Sequence, residues 1–167
     1  MKLTAYLGVS LLLAMPAAMF AKAPTSKIII EGGGLRKPIA ITDPKVLSGF
    51  RIWSGPGTSG NESESLIIDW SQGPVLIPQE GLERYRVSFY VQFEPGRQSL
   101  VYLVSYVYDP LTHQGYVYLP GKGDDGYRLN VSTILRGVEG NWFRASKSWD
   151  NLARGLVAKK AGALKNP

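Results

Sequence analysis

The sequence predicts a mainly β fold: an antiparallel, sandwich-like meander with one short helix near the N-terminus and a second helix at the C-terminus. Three observations lead there. Two long runs of β-branched and aromatic residues, 84–93 and 100–108, flank a Pro-Gly turn. Glycine- and proline-bearing punctuation recurs at short intervals from residue 32 to residue 126. Helical spacing of apolar residues is confined to a brief stretch after Asp43 and to the segment that begins at Trp149.

Taken in order, the chain starts with Lys2, an apolar run over residues 3–14 and small residues up to Ala21. That layout is expected to be a signal peptide over 1–21, too short to span a bilayer. Cleavage after Ala21 leaves Lys22 first. Residues 22–157 then make one β-rich domain of a size that holds its own core, and 158–167 form a basic, flexible tail. Residues 27–31 read as a strand ended by three glycines, and 39–41 as a second strand. Asp43 and Pro44 supply an N-cap and a first helical residue for a helix cut short by Gly49. Residues 53–65 are a polar loop, and 66–68 and 75–77 are short apolar runs.

In the centre, pairing across residues 94–97 sets Phe93 opposite Gln98, Val91 opposite Leu100, Phe89 opposite Tyr102, Val87 opposite Val104 and Tyr85 opposite Tyr106. A one-residue slip would carry Val87 and Phe89 to the wrong face, so this register is strongly specified. Residues 100–108 are apolar on both faces and belong in the sheet interior. If Tyr108 pairs with Tyr116, then Tyr106 pairs with Tyr118, and all four share the face of Tyr85. Residues 127–132 alternate as a half-exposed strand does and complete a four-stranded meander. Trp149, Leu152 and Leu156 then dock a C-terminal helix weakened by Gly155 and Gly162.

Composition removes several functions. The absence of cysteine excludes disulfides, thiol catalysis and cysteine-based metal sites, and no cofactor is expected. Residues 128–167 carry eight basic side chains against two acidic ones, whereas 22–127 carry ten against eleven. This uneven basicity argues against a nucleic-acid partner and for a charged end, with Arg154, Lys159, Lys160 and Lys165 available to an anionic membrane surface. His113, the single histidine, sits in the loop after Asp109, and no Gly-x-Ser-x-Gly elbow offers a nucleophile. The acids at 124 and 125 lie among glycines but lack the distal ligands of a calcium loop. Gly32, Gly33 and Gly34 follow a strand but precede Pro38 and another strand, not a phosphate-binding helix. Asn61 and Asn130 head Asn-x-Ser sequons, relevant to glycosylation only in a eukaryotic source.

The segment 30–35, with 38–44 and 50–53 after it, resembles the N-terminal part of exported bacterial proteins of unknown function. The resemblance implies no activity and transfers no residue roles. The expectation is an extracytoplasmic, non-catalytic binding module for a protein or glycan partner, periplasmic or secreted. Its candidate ligand-binding residues are Tyr85, Tyr106, Tyr108, Tyr116 and Tyr118, an aromatic row that would equally serve as core. The alternatives are a small secreted hydrolase using carboxylates with His113, and a structural envelope protein.

Overall fold

The computed structural model describes residues 22–58, 64–76 and 78–162. The expected signal segment, the Asn61 sequon, Ile77 and residues 163–167, including Lys165, lie outside them. The fold is mainly β. Strand β1 (Thr25–Gly32) buries Ile28 and Ile30 on one side, as the period of two requires, and pairs with β2 (Ile39–Ile41). Gly32, Gly33 and Gly34, at the end of β1 and just after it, all take positive φ, and a Cβ on Gly33 would stand 2.2 Å from the Tyr85 ring. The run is a tight turn under an aromatic side chain. Helix α1 (Pro44–Leu47) starts as the sequence says: the Asp43 carboxylate accepts from the Lys45 N–H at 2.9 Å.

A two-stranded hairpin, β3 (Glu64–Ser65) and β4 (Ile68–Asp69), has its apolar turn tucked inward. Leu66 and Ile67 are buried, and Leu66 holds a φ of 62°. Its N–H donates to the Arg51 carbonyl at 2.9 Å. A 3-10 turn at Trp70–Gln72 then leads to β5 (Pro74–Val75). Strands β6 (Arg84–Glu94), β7 (Arg97–Asp109), β8 (Gln114–Tyr118) and β9 (Trp142–Arg144) complete an antiparallel sheet of order β2-β1-β6-β7-β8-β9-β5.

The inner half of the β6–β7 register is as expected: Tyr85 faces Tyr106, Val87 faces Val104 and Phe89 faces Tyr102. Beyond Phe89 a bulge shifts the pairing, so Val91 meets Ser99 rather than Leu100, and Gln92 rather than Phe93 meets Gln98. Strand β7 is buried on both faces at its centre, through Tyr102, Val104 and Tyr106 on one and Val101, Leu103 and Val107 on the other.

Two further expectations fail. Tyr108 pairs with Gly115 and Tyr106 with Val117, one residue away from the expected register. Tyr116 and Tyr118 therefore lie opposite Val107 and Ser105, on the sheet face that Tyr85, Tyr106 and Tyr108 do not share. The turn decides this. The Asp109 carboxylate accepts from the Leu111 N–H and the Thr112 hydroxyl, each at 2.8 Å, and His113 takes a φ of 53° to close on Gln114.

The second failure is residues 127–132, which form helix α2 (Tyr127–Thr133) and not a strand. Gly126, at a φ of 86°, starts the helix against the Leu103 side chain, where a Cβ would come within 2.4 Å. Buried Asn130 then does a strand's work for the uncovered edge of β7. Its Oδ1 accepts from the Leu103 N–H at 2.8 Å and its Nδ2 donates to the Leu103 carbonyl at 2.7 Å. Both amide atoms are occupied inside the protein, which closes the Asn130 sequon in the folded state. Short β9 takes the fourth place in the meander.

Helix α3 (Lys147–Gly162) buries Trp149 and Ala153 on the sheet's inner face. The Ser146 hydroxyl accepts from the Trp149 N–H at 3.3 Å, as an N-cap does. The helix continues five residues past the point where the tail was expected to begin. Among the described residues no helix is long and apolar enough to cross a membrane.

Candidate ligand-binding cleft

The β6–β7 register brings Tyr85 and Tyr106 side by side, with ring centroids 6.2 Å apart, and places Tyr108 two residues further along the same face. Trp149 of α3 meets Tyr106 edge-on at 5.9 Å, and so sets how closely the helix approaches the sheet. Between these tyrosines, the segment before β6 and the second half of α3 lies a cleft of about 450 Å³. Leu82, Tyr85, Tyr108, Pro110, Arg154 and Val157 are among its walls. Its lining is mostly aromatic and aliphatic with few charges, the composition of a small-molecule site.

Beneath the cleft, buried Asp150 ties helix to sheet. Its Oδ1 accepts from the Tyr106 hydroxyl at 3.0 Å and its Oδ2 from the Gly115 N–H at 2.8 Å. A Cβ at position 115 would fall 1.9 Å from Asp150 Oδ1, so only glycine admits this approach. Burial pushes the Asp150 carboxyl above the usual range, against the opposing pull of the Gly115 and Tyr106 hydrogen bonds and of Arg154. Burial, then Asp150, raises the Tyr106 hydroxyl; burial, then the Glu83 hydrogen bond, raises that of Tyr85. Both phenols therefore remain protonated donors at physiological pH. Tyr85 gives its proton to Glu83 Oε2 at 2.7 Å. Arg154 lies 4.5 Å over the Tyr108 ring, while buried Tyr108 Oη and Trp149 Nε1 find no partner among the described residues.

A pH effect follows from Asp150. Because its folded-state pKa is raised, it favours folding below the unfolded carboxyl value of about 3.9. That contribution is lost as pH rises through the raised value. The stability of the natural protein relative to Asp150→Asn, from urea melts, is expected to decline with pH above about 4 and then level off. A difference that grows with pH contradicts this account.

The remaining candidate residues go elsewhere. On the opposite sheet face, Tyr118 stacks near Trp142 at 5.1 Å, and its hydroxyl donates to Asp124 Oδ2 at 2.6 Å. Asp124 also accepts from the Gly121 N–H at 2.8 Å, whereas Asp125 pairs with Arg86 at 2.9 Å. The two acids of that turn thus face different partners. His113 is exposed on the β7–β8 turn, and Asp109, the carboxylate that would orient it, has its oxygens engaged by Leu111 and Thr112. Those bonds, Thr112 first, hold Asp109 below the usual carboxylate range.

The tyrosine pattern alone did not point to Arg154, Val157 or Leu82 as cleft residues. The usable signal was the spacing of Asp150 and Arg154, one helical turn apart on the helix that Trp149 docks. Compared with protein-family models, with curated proteins and with solved structures, the chain matches none, and the reading of the cleft rests on its geometry.

Proposed function

We propose that this protein is an exported, non-catalytic binding module whose ligand occupies the cleft between β6, β7 and α3. The observation that carries the reading is the convergence of Tyr85, Tyr106 and Tyr108 with Arg154 around a largely apolar recess. In that recess the Tyr85 and Tyr106 hydroxyls are held as hydrogen-bond donors and not as bases. Asp150 is committed to positioning α3. Export is supported by the composition of residues 1–21, and the exported chain is expected to begin at Lys22, as N-terminal sequencing will check. Exposed Arg154, Lys159 and Lys160 also support peripheral contact of α3 with an anionic surface.

The cleft reading is tested by narrowing it. Val157 is half-buried in the wall, so Val157→Phe adds volume without opening the core. In calorimetric titrations with small amphipathic ligands, Val157→Phe is expected to weaken binding at least tenfold, with the melting temperature within a few degrees of the natural protein's. Unchanged affinity sinks the cleft assignment.

A further inference from the structure

We propose that the ligand of this cleft is an anionic amphiphile, an apolar chain or ring carrying one carboxylate, with the carboxylate on Arg154. The inference rests on the cleft being the binding site and adds the chemistry of its occupant. The apolar part follows from the walls: Leu82, Tyr85, Pro110, Val157 and Ala158 offer carbon surface, and the recess falls within the usual size range for small-molecule sites.

The sign of the charge follows from the two ionic side chains at the cleft. Glu83 keeps its charge but holds it against Tyr85, whose hydroxyl donates to its Oε2. Arg154 makes no ion pair among the described residues. Asp150, one turn before it, attracts it but makes no ion pair with it, and both Asp150 oxygens accept from Tyr106 and Gly115. The guanidinium instead lies over the Tyr108 ring. Stacking of this kind holds the group in place while leaving edge N–H donors for a planar, two-oxygen acceptor, and a carboxylate fits that fork. The buried Tyr108 hydroxyl has no partner among the described residues. Lys159 and Lys160, exposed in the last turn of α3, add positive potential near that end of the cleft. A cationic head group would meet repulsion there, and a neutral one would make no ion pair with the arginine.

The test compares three ten-carbon probes, decanoate, 1-decanol and decyltrimethylammonium, each below its aggregation concentration, by calorimetry on the exported protein. Decanoate is expected to bind at least tenfold more tightly than the other two. Arg154→Gln should weaken decanoate at least tenfold and decanol far less, the decanol arm showing that the cleft is intact. Val157→Phe should weaken both. Equal affinity for the three probes, or decanoate binding indifferent to Arg154→Gln, overturns the carboxylate assignment and leaves the cleft reading standing. Absence of decanoate binding, while another apolar ligand binds in a Val157-dependent way, has the same meaning. Decanoate binding that survives Val157→Phe places the ligand elsewhere and overturns both.

Discussion

Replacing Arg136 with leucine is expected to cost about 3–5 kcal/mol of folding stability, measured by equilibrium urea unfolding. The side chain is only 5% exposed and works as a clamp. Its Nε donates to the Tyr102 hydroxyl at 3.0 Å, and Nη1 donates to the Ser54 and Pro56 carbonyls, each at 2.9 Å. Nη2 donates to the Ile52 carbonyl. The guanidinium also lies between the rings of Tyr102 and Trp70, 5.2 and 5.4 Å from their centroids. The carbonyls belong to a segment that no strand pairs, so the arginine takes the place of a ladder. Leucine would replace the apolar stem and leave several buried acceptors unmet. Arg136→Lys should recover little, because a single ammonium cannot span four acceptors held in a fork. A loss below about 1 kcal/mol for the leucine variant would mean that water satisfies these carbonyls equally well.

Trp149→Ala is expected to cost a similar amount, about 3–5 kcal/mol. The ring is fully buried and meets Phe50 and Tyr106 edge-on at 5.4 and 5.9 Å. Beyond it, α3 is docked by small Ala153 and by the half-buried Leu152, Leu156 and Val157. Without the indole the helix loses its anchor and the cleft loses a wall, so ligand binding should fall together with stability. Trp149→Phe separates packing from hydrogen bonding. The indole N–H has no partner among the described residues, so phenylalanine forfeits no bond, leaves only a small cavity and should cost clearly less than alanine. Thermal melts of the two variants decide it; equal, large losses would show that the N–H matters after all.

Local signals decided what could be read from the sequence. The Asp43-Pro44 helix start and the pairing of Val87 with Val104 were legible, because one needs only its own residues and the other only the alternation of two adjacent strands. Tyr85, Tyr106 and Tyr108 followed from that pairing. The β7–β8 register was not legible, since it depends on Asp109 bonding to Leu111 and Thr112 and on the left-handed backbone at His113. That one-residue difference split the tyrosine row in two. Residues 127–132 alternate like a strand, yet Asn130 reaches across 27 residues to pair with Leu103, a contact no local pattern announces. Arg154 was visible as a surface charge, and its place beside Tyr108 emerged only once α3 was docked.

In the proposed site, ligand enters between α3 and the β6–β7 face and not over a five-tyrosine platform. Backbone amide shift mapping during titration with decanoate separates the two. The largest shifts are expected in residues 82–85, 106–109 and 153–158, with Tyr116, Tyr118 and Trp142 unmoved on the far face of the sheet. Shifts centred on Tyr116, Tyr118 and Trp142 would contradict it.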